Sequence, residues 1–126
     1  MYWCFHCYAV NPHPCGPCVR CGQEVKVPEE LSWDERLIWA LDHPDSDRAM
    51  LAAGTLGRRR SAKALPALRR VVDERSDPFL AVAALRSAIA IAGASELREW
   101  LTQLASCDSF MVRDVAARAL AQPTAQ

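Results

Sequence analysis

The stretch Ala52-Ala53-Gly54-Thr55-Leu56 returns as Ala84-Leu85-Arg86-Ser87-Ala88 and again as Ala116-Ala117-Arg118-Ala119-Leu120, each step being 32 positions. Small residues at helical spacing let neighbouring helices approach closely, and their return at a fixed interval is the mark of a stacked repeat. A second series keeps the same step, since Leu65, Leu68 and Val72 fall on Leu97, Trp100 and Leu104. Leu37 and Leu41 precede Leu68 and Val72 by 31. The pattern predicts the back helix of a truncated repeat, then two helix pairs, then one last front helix, which makes six helices.

The ends of these helices carry their own signals. Ser32-Trp33-Asp34-Glu35 fits a capping box, so a helix should start there and run to about Asp42, with Leu37, Ile38 and Leu41 on one stripe. Asp77 can cap the next-but-two helix with Pro78 in its first turn, and Gly57 and Gly93 stand where left-handed C-terminal caps belong. The segment Phe79 to Ala92 is apolar almost all round, Arg86 and Ser87 excepted, and should lie at the centre of the core.

His43-Pro44-Asp45-Ser46-Asp47-Arg48-Ala49, Ala52 through Gly57, Ala64-Leu65-Pro66-Ala67-Leu68 and Val112 through Leu120 together resemble HEAT-like repeats of the short bacterial type, over residues 32–121. The resemblance implies an all-α fold, a short right-handed α-solenoid of helix pairs, and a role as a protein-binding scaffold. The second unit departs from the pattern, with Leu80-Ala81 where Val-Arg is usual.

Composition changes near residue 30. Five of the six cysteines lie in the first 21 positions, and the remainder is rich in Ala, Leu and Arg. The expected layout is a small cysteine module over 1–25, a linker over 26–31, the repeats over 32–122 and a tail over 123–126. Cys4-Phe5-His6-Cys7 and Cys18-Val19-Arg20-Cys21 are two Cys-x-x-Cys elements whose turns can face each other across one tetrahedral ion. Gly22 can supply the positive φ that such a turn requires. Cys4, Cys7, Cys18 and Cys21 are therefore the expected metal ligands and zinc the expected metal, although an all-thiolate shell also suits iron. Cys15-Gly16-Pro17-Cys18 is a rival pair, and His6 and His13 are spare donors. The segment resembles a zinc ribbon or knuckle, which implies a structural ion with no open position. Tyr2, Trp3 and Phe5 would cover it.

Fifteen basic residues balance fifteen acidic ones, so no global charge draws the chain to nucleic acid or membrane. The opening Met1-Tyr2-Trp3-Cys4 lacks the basic and apolar regions of a secretory leader, and residues 78–92 fall short of the roughly 20 a bilayer span needs. A reducing cytoplasm is the expected compartment, where clustered cysteines hold metal rather than pair. No nucleophile–base motif or phosphate loop occurs, so no enzyme activity is expected. Two surfaces invite a protein partner. One is the basic cluster of Arg58, Arg59, Arg60, Lys63, Arg69 and Arg70. The other is the stripe of the last helix with Phe110 and Met111, open to a partner helix or a second copy of the chain. The alternative is a nucleic-acid- or ribosome-associated factor using the Arg58 to Arg70 cluster, though no aromatic residue lies between Leu41 and Arg75 to stack on bases.

Overall fold

The cysteine-rich N-terminal stretch and the alanine- and leucine-rich remainder build two separate units, residues 1–33 and 34–126. The structure, a computed structural model, describes residues 2–121; the expected tail at 123–126 lies outside them. In the first unit β1 (Tyr2–Trp3) pairs antiparallel with β2 (Val10–Asn11), Tyr2 opposite Asn11 and Trp3 opposite Val10. A second, shorter hairpin is closed by a bridge between Pro17 and Glu24.

The second unit is all-α, with six α-helices among the described residues. They are α1 (Trp33–Ala40), α2 (Ser46–Arg59), α3 (Leu65–Glu74), α4 (Pro78–Ala92), α5 (Arg98–Leu104) and α6 (Phe110–Ala121). Helix α1 stops two residues before the expected Asp42, because the chain tightens into three-residue turns: Leu41, Asp42 and His43 donate to Ile38, Trp39 and Ala40. A single 3-10 turn, Ala62–Ala64, leads into α3. Asp77 caps α4 as expected, its carboxylate accepting from the Phe79 and Leu80 amides at 3.0 and 3.3 Å, with Pro78 opening the helix.

The repeat reads directly as burial. Ala52, Ala53 and Leu56 of α2, Ala84, Leu85 and Ala88 of α4, and Ala116 of α6 are buried, as are the back-helix residues Leu68, Val72, Leu97, Trp100 and Leu104. Ala117 is exposed and Leu120 half-buried, since α6 packs chiefly on α4 and α5 among the described elements. Helix α4 is the centre: it packs against α2, α3 and α6, and seven of its residues are buried.

One cap expectation fails. Gly57 lies inside α2, which ends at Arg60 in the left-handed region (φ 52°), the Arg60 amide bonding back to Gly57 and Leu56. Gly57 is there for packing. A Cβ at this position would sit 2.5 Å from Ser87 Oγ and 2.9 Å from Ser87 Cα on α4, and the Ser87 hydroxyl donates to the Ala53 carbonyl at 2.6 Å. Gly93 does end α4 with positive φ, 86°, but its ψ of 154° is extended and not that of the left-handed cap expected.

Candidate metal centre

Each Cys-x-x-Cys sits at the tip of a hairpin, and both tips are built by the same bonds. The Cys4 amide donates to the Ala9 carbonyl at 2.8 Å and the Tyr8 amide to the Cys4 carbonyl at 3.1 Å. In the second loop the Cys18 amide donates to Gln23 at 2.8 Å and the Gly22 amide to Cys18 at 3.1 Å. The residue after the second cysteine is left-handed in both, Tyr8 at φ 62° and Gly22 at φ 78°. Each leading sulfur accepts a backbone amide at 3.3 Å, from His6 onto Cys4 and from Arg20 onto Cys18. The chain thus makes one local device twice, and the two copies face each other.

The facing loops gather Cys4, Cys7, Cys18 and Cys21, whose Sγ atoms all lie within 4.8 Å of one another. Across the loops, Cys4 and Cys21 are 3.6 Å apart and Cys7 and Cys18 3.7 Å, all as free cysteines. Four sulfurs at about 2.3 Å from a tetrahedral ion would stand about 3.8 Å from each other, so the donor set suits a metal ion in size and chemistry. Cys15 and His6 are exposed and His13 is half-buried, and none of the three belongs to this group. Cys4 and Cys18 are buried together with Val25, while Cys21 reaches the surface.

Electrostatics in the group are uneven. The Cys21 amide above all favours the Cys18 thiolate, and the Asn11 side chain and Arg20 amide add to it, drawing its pKa down to about 5 against the cost of desolvation. Cys21 behaves oppositely: the Gln23 amide favours its thiolate, but desolvation and the sulfurs of Cys4, Cys7 and Cys18 together push it up to about 12. Four negative sulfurs at this separation repel, and a cation at their centre is what lets all four ionise.

Two contributors escape the sequence. Asn11 is completely buried and ties the loops together: its amide donates to the Ala9 carbonyl at 3.1 Å and toward Cys18 Sγ at 3.5 Å, and its oxygen accepts from Val19 at 2.9 Å. Tyr8 adopts a conformation that its type rarely takes. The only advance signal is its place after Cys7, matching Gly22 after Cys21.

The basic cluster is dispersed by its neighbours. Arg59 pairs with Asp34 at 2.6 Å, and Arg70 bridges Asp42 at 3.0 Å and Glu74 at 3.2 Å. Arg69 lies 4.9 Å over the Trp100 ring, an aromatic contact from α5 that the local sequence does not show. Arg69 and Arg70 line an open groove of about 640 Å³ along α3. Arg58, Arg60 and Lys63 are exposed, as is Phe110, with Arg113 5.8 Å from its ring; Met111 is half-buried.

No curated protein and no solved structure matches the chain. A family model described as HEAT repeats matches residues 35–121, the helical unit, and leaves the cysteine loops outside it. With that match over most of its length, the chain belongs to the HEAT repeat family.

Proposed function

We propose that the protein is a non-enzymatic cytoplasmic adaptor, in which Cys4, Cys7, Cys18 and Cys21 hold one structural zinc ion and the helical-repeat surface binds a protein partner. The observation that carries this reading is the closed donor set. Four sulfurs fill a tetrahedral shell, leave no position for substrate or activated water, and are the one gathering of metal-ligating side chains among the described residues. The ion would supply folding energy to a unit whose own core is only Cys4, Cys18 and Val25 with Cys7 and Ala9 against it. HEAT repeats generally serve as protein-interaction scaffolds, which favours a protein as the partner. Nucleic acid is the weaker candidate, because Arg59 and Arg70 already spend their charge on Asp34, Asp42 and Glu74.

Elemental analysis of the purified chain tests the metal: about one zinc per chain, kept in Cys15→Ser and lost in Cys18→Ser. Iron would declare itself by colour. Retention of a protein from host lysate on the immobilised chain tests the adaptor role, and substrate turnover by the purified protein would overturn it.

A further inference from the structure

The front helices α2, α4 and α6 lie side by side, α4 touching both of the others, and their uncovered sides share a register set by the 32-residue step. On α4 that side carries Phe79, Ala83, Arg86 and Ala90, none of them buried. One step back are Asp47, Leu51, Gly54 and Arg58 of α2, and one step on are Met111, Val115 and Arg118 of α6. Arg86 and Arg118 occupy the same position. Their counterpart on α2 is Gly54, and the space a side chain would take there is filled by Arg58: its Nη1 lies 3.5 Å from the Gly54 Cβ position and its Nη2 donates to Thr55 Oγ1 at 3.1 Å. Three guanidinium groups therefore form a row, one on each front helix.

Nothing neutralises this row effectively. Arg86 makes no hydrogen bond or ion pair among the described residues, and α4 holds no acid at all. Arg118 is 78% exposed and shares its charge with Asp114 one turn away at 3.1 Å, an exposed pair of the kind worth least. On α2, Arg48 pairs with the cap residue Asp45 at 3.7 Å and Arg59 with Asp34 at 2.6 Å, which leaves Arg58 and Asp47, while α6 sets Arg113 and Arg118 against Asp114. The back helices α3 and α5 balance internally, Arg69 and Arg70 against Asp73 and Glu74, Arg98 against Glu99. The excess of positive charge belongs to the front layer. Beside the row stand large apolar side chains left in water: Leu51 is 65% exposed and Phe79 60%.

We infer that this face binds an acidic protein segment in the polyproline II conformation, with a carboxylate at every third residue seated on the Arg58, Arg86 and Arg118 row and apolar side chains against Leu51 and Phe79. The spacing supports it. Packed helices stand about 8–10 Å apart, and a polyproline II chain brings every third side chain to the same side at about 9.3 Å. A phosphate backbone would answer the charge but not the apolar residues. The inference rests on the adaptor reading and gives its partner a chemistry.

The test is a fluorescence titration of the full, metal-loaded chain with a labelled peptide of about 12 residues, Glu-Leu-Pro repeated, long enough to cross all three helices at about 3.1 Å per residue. The expected result is saturable binding that drops about tenfold or more in Arg86→Glu and with the Gln-Leu-Pro peptide, and that Arg98→Glu on α5 leaves within about twofold. Arg86 has no partner to lose among the described residues, so its variant keeps the wild-type circular dichroism. Equal binding of the Gln peptide, an unchanged Arg86→Glu, or tighter binding of a single-stranded RNA of similar length would each overturn the assignment. A lysate protein held equally by wild type and Arg86→Glu would overturn this face as its site while leaving the adaptor reading standing.

Discussion

Gly54 and Gly57 stand one turn apart in the same helix, and the same substitution should move stability in opposite directions. Replacing glycine by alanine inside a helix gains about 1 kcal/mol from the smaller backbone entropy loss. At Gly54 the new methyl meets only Arg58 Nη1 at 3.5 Å, an ordinary contact, so the gain is kept. At Gly57 the methyl would lie 2.8 Å from Ser87 Cβ and 2.9 Å from its Cα, and no rotamer of Ser87 relieves a backbone contact. Helix α4 must back away. That overpacking costs about 1–3 kcal/mol, and stretching the Ser87 hydroxyl from the Ala53 carbonyl adds about 1 kcal/mol. After the propensity gain, Gly57→Ala should still be destabilised by about 1–3 kcal/mol. In a unit of this size each kcal/mol moves the melting temperature by about 4–8 °C. Urea and thermal melts followed by helical circular dichroism measure both variants. A Gly57→Ala protein as stable as wild type, or one that matches Gly54→Ala, would refute the claim that α2 and α4 touch backbone to backbone.

Asn11→Ala should loosen both cysteine loops at once and weaken metal affinity about 10–100-fold, as loss of an outer partner typically does, read by competition with a chelator. His43 is held below its ordinary pKa by burial first and by the nearby Arg48 charge, while its Nδ1 accepts the Asp45 amide at 3.0 Å. The unfolded chain therefore takes up this proton before the folded one. The His43 contribution is complete above about pH 6.5 and fades as pH falls through the lower folded value, a slope that His43→Asn should flatten in melts at pH 5 to 8. Asp77→Ala removes the α4 cap and should cost about 1 kcal/mol, visible as an earlier urea midpoint. Chelation of the loaded chain should change near-ultraviolet signals from Tyr2, Trp3 and Phe5 and leave the helical signal of residues 34–121 in place, because the helical core contains no residue of the cysteine unit.

What the sequence made legible was whatever a residue announces by type and spacing. The alanine and leucine series announced the repeat, Asp77-Pro78 announced a helix start, and the two Cys-x-x-Cys pairs announced the loops. Gly57 misled because glycine serves two ends, left-handed turns and close packing, and only the position of Ser87 on another helix tells them apart. Arg60 took the turn instead, without any sequence mark. The arginine cluster looked like one field because Asp34 of α1 and Asp42 of the turn after it, which divide the cluster, stand far back in the chain. Asn11 was invisible for a related reason: a polar residue between two loops looks like surface until both loops close over it.

Long repeat arrays come apart piecemeal, since each unit leans only on the next. This stack is too short for that. Helix α4 holds a keystone's place, packed against α2, α3 and α6, and the direct links between α3 and the last two helices are polar ones near the surface, Trp100 Nε1 to Asp73 at 3.0 Å and Arg75 to Asp108 at 3.0 Å. The helical unit should accordingly melt in a single step, and a partner that grips α4 would govern the persistence of the whole.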